Sequence, residues 1–434
     1  MLITGGFVVD GTGMPGYFAD VAIKSNSIVS IASGLDASLA TVVVNATGLV
    51  VAPGFIDGHG HSDYVFAQDN TGDSKLRDGV TTELAGLCGF SLGPCTGNCL
   101  GWRAALFLAK IPAPVLANIT TLADAYSWYE RNKPLTNMLM WVGYNTVRMT
   151  ACGYAENCTS EQLVTANQLV DQAMLEGAWG ISHGLEYVPS IFSPRSELVQ
   201  IAKTAAARGG IMTVHMRNEK EGLLDSIDEV IDIARKSGIK AQISHLKVTG
   251  VLLSNTTEYV LAKIDQAVSS GVDLYADQYP WNAYGTTLAL GLGAELNNLP
   301  LDKRIAALNN ATVIADLAVL ESNGVLFRNL GVSSWDDVWA VGTAHPEWDG
   351  KSLTQLGTEM GKSSLQAWID ILLATSFKAY GCYFAMTEES VQRIMKHPRV
   401  MVGSDGGPSR VGGIKATHPR RYGTFSRSIG HYAR

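Results

Sequence analysis

Eight short apolar runs, spread over residues 49–407 with helix-like patterns between most of them, constrain the fold of this chain more than any other feature. They read LVVAPGFIDGHGH, GVTTELAGLCG, NMLMWVGYN, AWGISHGLEY, GGIMTVHMRNE, KAQISHLKVTG, VDLYADQYPW and RVMVGSDGG. Strand-like runs that alternate with helical periodicity signal βα units and a parallel sheet. Eight is the strand number of a closed barrel, so the expected class is α/β, a (β/α)8 TIM barrel. The helices between carry their own punctuation. Thr159 and Gln162 have the spacing of a capping box, Leu163, Ala166, Leu169, Val170 and Ala173 share one face, and Gly177 is the stop. Ser193 and Pro194 suit the N-cap and first turn of another helix. A length of 434 residues fits one large barrel with a small companion.

The companion is at the front. Residues 1–50 are short apolar runs cut by Gly, Asn and Asp, which reads as a small β domain, and the barrel then covers 51–434. Between the seventh and eighth runs lie over 100 residues, about 282–398, far more than one crossover needs. A helical insertion, a lid over the site, is expected there. The chain ends on HYAR shortly after the eighth run, which leaves little room for a closing helix and none for a strand returning to the N-terminal β structure.

Net charge is −7, from 33 basic and 40 acidic residues, and no basic cluster stands out. That argues against a nucleic-acid or anionic-membrane partner. No stretch approaches the roughly 20 apolar residues of a membrane helix. MLITGGFVVDGTG has no positive n-region and breaks at Gly5-Gly6, so it does not read as a signal peptide, and cytoplasm is the default location. The six cysteines do not make a disulfide framework in a chain this long. Cys152 and Cys158 are close enough to pair, in an oxidising compartment only.

The chemistry-bearing residues gather at the ends of the runs. His59 and His61, two apart at the end of the first, face the same side of a strand. Cys88 ends the second run, His215 the fifth, His245 the sixth and Asp405 the eighth. Imidazole and thiolate suit zinc, and a nearby carboxylate can ligate or act as base. Singly, each has a bland reading: a loop histidine, a small buried hydrophobe, a turn-forming aspartate. Jointly they must all fall at one end of different strands, which in a barrel is the active-site mouth. His183, ending the fourth run, reads as a wall residue of the cavity.

These residues resemble those of the amidohydrolase superfamily, and within it the N-acyl-D-amino-acid deacylase (D-aminoacylase) family. The motifs VVAPGFIDGHGHSD, GVTTELAGLCGFSLGP, GISHGLEYVPSIFSP, VHMRNEKEGLLDSIDE, QISHLKVTG, DQYPWNAYGTT, VGSDGGPS and THPRRYGTFSRSIGHY carry the resemblance and span nearly the whole chain. The resemblance implies a barrel with a small β-sandwich built from both chain ends, here incomplete at the C-terminus. It implies one tightly bound zinc on Cys88, His215 and His245, and a second, weaker position on His59 and His61 that shares Cys88. Asp405 is then the general base and acid, Arg420 holds the substrate carboxylate, and Lys247, Tyr279 and Tyr187 contact the same small N-acyl amino acid. The implied activity is zinc-dependent hydrolysis of the amide bond of N-acyl-D-amino acids. Two positions depart from the family pattern: His183 replaces a small or hydroxylated residue, and Gly285 or Thr286 stands where a hydroxyl is expected.

Two rival readings remain. A cyclic-amide hydrolase of the dihydroorotase or hydantoinase type relies on a carboxylated lysine ending the fourth strand, and AWGISHGLEY has none. A non-catalytic scaffold of the same fold tends to lose ligands, and all six are kept here.

Overall fold

A computed structural model of the chain describes every residue except 69–71, 106–112, 251–254, 298, 411–416 and 434. It divides into two compact units, Met1–Phe55 and Ile56–Arg434.

The first unit is a five-stranded sheet. Its strands are β1 (Leu2–Val8), β2 (Tyr17–Lys24), β3 (Ser27–Ala32), β4 (Val43–Asn45) and β5 (Val50–Val51). The order is β3-β2-β1-β4, with β5 also on β1. Turns follow from the Gly, Asn and Asp breaks. Asp20 ties two of them by accepting from the backbone N–H of Gly5 at 2.8 Å and of Leu35 at 3.0 Å. Val8, Ala19 and Val21 form its small core, whereas Phe18, Ile28, Val43 and Val50 are exposed.

The second unit is α/β, and each of the eight runs holds a strand. These are β6 (Phe55–Asp57), β7 (Val80–Ala85), β8 (Asn137–Met140) with β9 (Val142–Gly143), β10 (Gly180–Gly184), β11 (Ile211–His215), β12 (Lys240–Ile243) and β13 (Leu274–Gln278), and finally β18 (Val400–Val402). Four further strands, β14 (Tyr284–Thr287), β15 (Val338–Val341), β16 (Lys351–Ser352) and β17 (Tyr380–Tyr383), lie between β13 and β18. The central sheet runs β18-β13-β12-β11-β10-β9, parallel throughout. A second sheet is β6-β7-β8. Only Trp141 separates β8 from β9, and its N–H still donates to Ala85 O at 2.8 Å. The segment after β6 meets the segment after β18: Asp405 N donates to His59 O at 2.7 Å, and His61 N to Gly406 O at 3.2 Å.

Strand alternation sorts the side chains. Met212 and Val214 of β11, Ala241 and Ile243 of β12, and Leu274 and Ala276 of β13 join the large apolar core shared with the helices. The intervening positions are polar: Thr213, His215, Gln242 and Asp277, all buried. Burying so many polar groups is tolerable only if they are partnered. Gln242 donates to Asp277 at 2.5 Å and to Gly58 O at 3.2 Å, and Ser182 donates to Gly86 O at 2.6 Å. This polar face carries the site.

The helix over Ser160–Leu175 has the Thr159–Gln162 capping box, and Gly177 follows it with φ +104°. The next helix, Arg195–Ala207, starts one residue later than expected, with Pro194 at the cap, because the Ser193 hydroxyl is spent on Glu197 at 2.6 Å. Three expectations need correction. The segment 282–398 is not purely helical. It holds the four-stranded antiparallel sheet β14-β17-β15-β16 beside its helices, and strands of two to four residues are too short to show alternation in sequence. A helix does follow β18, at Arg420–Arg427, continued by a π-helical turn over Ser428–Tyr432. Two disulfides are present: Cys152–Cys158, as spacing allows, and Cys95–Cys99. With separations of 6 and 4 residues they staple local turns and are no framework for the fold. Among the described residues no single helix is long and apolar enough to cross a membrane.

Candidate metal centre

Cys88, His245 and Asp405 each follow a strand and each adopt a left-handed backbone, with φ of 51°, 36° and 48°. Non-glycine residues pay for that conformation, and it concentrates where a side chain must be re-aimed. Here it turns three donors out of their strand directions toward one point. His59 needs a small neighbour as well: a Cβ on Gly403 would lie 2.6 Å from that of His59.

The sulfur of Cys88 is the hub. Its Sγ lies 3.3 Å from His59 Nε2 and 3.5 Å from His245 Nε2. His245 Nε2 in turn lies 2.7 Å from His215 Nδ1. Asp405 Oδ1 lies 3.0 Å from His61 Nε2 and 3.5 Å from His59 Nε2. Among the described residues three donor groups result; Cys88 belongs to two of them, His59–His61–Cys88–Asp405 and Cys88–His215–His245, and the third is Glu186–His215–Glu219. All of these residues but His61 and Glu186 are buried.

Each buried histidine facing the Cys88 sulfur or its neighbour spends its other nitrogen on a carboxylate. His59 Nδ1 meets Asp277 at 3.1 Å, His245 Nδ1 meets Glu219 at 3.0 Å, and His215 Nε2 meets Glu186 at 3.1 Å. Such partners fix the tautomer and ring plane of a ligating imidazole. Asp277 also accepts the N–H of His245 at 2.9 Å, so one carboxylate orients two donors. Lys247 bridges Glu219 at 2.7 Å and His245 Nδ1 at 2.8 Å, and Lys220 holds Glu186 at 2.9 Å.

Arg420 lies against Asp405. Its Nη1 donates to Asp405 Oδ2 at 2.6 Å, its Nη2 donates to Gly285 O at 3.0 Å, and its guanidinium carbon sits 5.1 Å over the Tyr279 ring. His418 sets up this arginine: its Nδ1 accepts the Arg420 N–H at 3.1 Å and its Nε2 donates to Ala283 O at 2.9 Å. Burial, then the charge of Arg420, pushes His418 down to about 3, so it stays neutral. Tyr187 packs its ring 4.6 Å from that of His215, and the buried Tyr279 hydroxyl has no hydrogen-bond partner among the described residues. All ten residues singled out from sequence therefore lie in or against this one cluster.

Sequence reasoning missed Asp277, Glu219 and Glu186. Asp277 had a signal, since it closes the one late run to which no ligand was assigned. It also missed Tyr380, whose hydroxyl lies 3.5 Å from Arg420 Nη2, while Gly285 offers a carbonyl instead of the expected hydroxyl. His183 is not a wall of this cavity. Ser182 faces the Cys88 loop, and the alternate residue His183 points to the helix side, 5.3 Å from the Tyr144 ring, with both ring nitrogens unpartnered. Burial pushes it down to about 3.

The donor set fits a divalent cation. Tetrahedral zinc with bonds of about 2.0–2.3 Å separates its ligand atoms by about 3.3–3.6 Å, and the two Cys88–histidine distances have that value. The 2.7 Å between His215 and His245 is shorter, and a shared ion would spread them. Charge points the same way. Burial alone would lower the histidines, yet neighbouring carboxylates and the Cys88 sulfur raise His61 to about 9 and His215 to about 10. A cluster that draws protons onto its imidazoles is a cluster that favours a cation. We expect Asp277→Asn to weaken metal retention by about 10–100-fold, the usual effect of losing an orienting carboxylate. Competition with a chelator measures it, and unchanged affinity would make Asp277 a packing group.

No family model matches the chain. Among curated relatives it is 32% identical over 437 residues to N-acyl-D-glutamate deacylase of Alcaligenes xylosoxydans xylosoxydans, covering 100% of this chain and 78% of that protein. It is 29% identical over 442 residues to D-aminoacylase of the same organism, covering 100% and 79%. Among solved structures, N-acyl-D-glutamate deacylase from Bordetella bronchiseptica, complexed with zinc and a phosphonate mimic of the tetrahedral intermediate, superposes with a TM-score of 0.78 at 29% identity, over 100% of this chain and 80% of that one. A D-aminoacylase structure gives 0.77 at 28% identity, with the same coverage. On this full-length likeness, and on a cysteine set between two histidine groups, the chain belongs to the N-acyl-D-amino-acid deacylase (D-aminoacylase) family of amidohydrolases.

Proposed function

We propose that this protein hydrolyses the amide bond of N-acyl-D-amino acids in a zinc-dependent reaction, giving a carboxylate and a free D-amino acid. The observation that carries the reading is Cys88, 3.3 Å from His59 and 3.5 Å from His245, with Asp405 facing the same histidines. Cys88, His215 and His245 would hold a tight zinc, and His59 and His61 a second, weaker ion that shares Cys88. When bound, zinc supplies a Lewis acid and a water whose pKa falls to about 7 from about 15.7.

The chain supplies the rest. Asp405 is the general base toward that water and then the acid toward the leaving nitrogen. Arg420 offers a planar fork to the α-carboxylate of the substrate. Because Arg420 rests on Asp405 at 2.6 Å, a substrate carboxylate that takes over the guanidinium also frees the base, which couples binding to activation. Lys247, Tyr279 and Tyr187 line the same space. A carboxylate fixed on one side and an acyl carbonyl on the other leave one direction for the side chain, hence the D preference.

The scaffold belongs to the same proposal: eight strands closed into a (β/α)8 barrel, supported by the Asp405–His59 and His61–Gly406 backbone bonds. So does the division into a β domain over 1–50 and a barrel over 51–434 with 282–398 inserted. Partners are the small acylated amino acid, with neither nucleic acid nor membrane. The two disulfides favour an oxidising compartment over the cytoplasm, where thiols are kept reduced. Against the hydantoinase type, β10 ends without a lysine, and Cys88 occupies the shared position. The deciding experiment is a panel of N-acetyl D- and L-amino acids with and without added zinc. Zinc-dependent turnover confined to D-substrates is expected. Turnover of a hydantoin alone would replace the proposal.

A further inference from the structure

Between β6 and β7 the chain makes one short helix, Ser74–Arg77, closed by Asp78. Ser74, Lys75 and Asp78 are polar and all three are buried. Their polar atoms go to the two segments that carry Asp405 and Arg420.

Lys75 serves the first segment. It is 2% exposed, and its ammonium donates to Asp57 and to the Ser404 hydroxyl, with Glu83 at 3.5 Å. Burial would lower this lysine, yet Asp57 and Glu83 raise it, so it stays charged. Asp57 also accepts from Ser404 N–H at 2.8 Å, from Ser404 Oγ at 2.6 Å and from His59 N–H at 3.2 Å. Ser404 Oγ in turn accepts from Gly406 N–H at 3.2 Å. A hydroxyl has one proton and two lone pairs, and Asp57, Lys75 and Gly406 use all three. Asp405 lies between Ser404 and Gly406, so both of its chain neighbours are tied to one buried cation. Its left-handed backbone, φ 48°, is thereby held on either side.

Ser74 and Asp78 serve the second segment. Ser74 Oγ donates to Arg421 O at 2.7 Å and accepts from Ser409 N–H at 2.9 Å. The Arg420–Arg427 helix departs from helical backbone at Gly423, with φ −152° and ψ 31°. Beyond that kink, Phe425 N–H and Ser426 N–H donate to the Asp78 carboxylate at 2.8 and 2.9 Å, and the Ser426 hydroxyl donates to it as well. Ser74 therefore holds the turn before the kink and Asp78 the turn after it. Arg420 opens this helix and reaches Asp405 from there.

We infer that the turn Ser74–Asp78 is a positioning element for the reaction: Lys75 fixes Asp405 and His59 through Asp57 and Ser404, and Asp78 fixes Arg420 through the Phe425 and Ser426 amides. The inference rests on the roles proposed above for Asp405 and Arg420. Stability alone does not call for an ammonium at Lys75, since apolar groups that replace a buried ion cluster are often neutral or stabilising. An ion cluster does fix direction. It sets the base and the arginine from one rigid turn, so that their 2.6 Å contact keeps its geometry.

The test compares zinc-loaded wild type, Lys75→Met, Ser404→Ala and Asp78→Asn on N-acetyl-D-methionine and N-acetyl-D-glutamate. Lys75→Met and Ser404→Ala are expected to lower kcat about 10–100-fold, the usual effect of losing an orienting partner, with KM nearly unchanged. Asp78→Asn keeps the shape but sets an NH2 group against a backbone N–H. It is expected to raise KM about 10–100-fold, the worth of a charged hydrogen bond to the substrate carboxylate, with kcat nearly unchanged. A merely structural turn would lower the melting temperature without this split. Should Lys75→Met not fold, Ser404→Ala carries the same arm. Folded variants with wild-type kinetics, or with kcat and KM altered alike in both arms, overturn the inference. If the wild type turns over no N-acyl-D-amino acid, the proposed activity fails, and calorimetric zinc titration decides the Lys75 arm alone. That arm stands if Lys75→Met and Ser404→Ala keep the tight ion and bind the weaker one at least about 10-fold less well, because His59 is held through Asp57. It falls if both ions bind as in the wild type.

Discussion

Replacing Asp405 by alanine leaves zinc bound and lowers kcat by about 10³–10⁴-fold. General acid–base groups contribute about 10²–10⁴, and Asp405 serves twice in the proposed reaction, so the upper part of that range applies. Zinc stays because Cys88, His215 and His245 form a donor group without Asp405. A confounding effect has to be separated. Burial would raise the Asp405 carboxyl, yet Arg420 and the histidines hold it well below the usual range, so it stands in the site as an anion paired with a buried cation. Removing one member of such a pair costs several kcal/mol, because the other is left without compensation. Asp405→Asn is the cleaner variant, since it keeps the shape and one acceptor for Arg420 while it cannot take a proton. Both variants should lose turnover alike, with the alanine protein melting at the lower temperature. Near-normal kcat in Asp405→Asn with full zinc would remove Asp405 as the base.

Much of this site is legible in sequence for a physical reason. A metal needs several donors at one point, and a parallel sheet brings the ends of separated runs together. Histidine, cysteine and aspartate at those ends, 346 positions apart between His59 and Asp405, are hard to place together otherwise. The orienting carboxylates were less legible, because Asp277, Glu219 and Glu186 sit among ordinary polar residues and act only through a histidine contact. His183 shows the limit of reading by run ends: a shift of one residue along β10 changes the face, so Ser182 reaches the Cys88 loop and His183 the helix layer. Tyr380 reaches Arg420 from β17, whose four residues carry no alternation to mark them. Cys95–Cys99 is a local pairing between residues whose approach depends on the turn after the Cys88 loop.

Cys88→Ser is expected to lose most of its zinc after dialysis against a chelator, with affinity lower by at least about 100-fold. The free energy of a structural zinc site, about 10–16 kcal/mol shared over its ligands, implies a loss of that order for one of them. A serine hydroxyl is no substitute: it keeps its proton at neutral pH and its shorter bond to Cβ withdraws the donor from both histidines. The backbone gives it no freedom to compensate, since residue 88 is held left-handed with Gly89 following at φ +82°. Cys88 also belongs to both donor groups proposed to hold an ion, so its loss should remove the second ion along with the first, whereas His61→Ala should remove the weaker one alone. Cys382 provides the control. It is the other free buried thiol among the described residues, burial pushes it up to about 11, and it belongs to none of the donor groups. Cys382→Ser should therefore keep its zinc. Elemental analysis reads all three proteins, and a full complement of zinc in Cys88→Ser would take the sulfur out of the metal centre and leave the two histidine groups without what joins them.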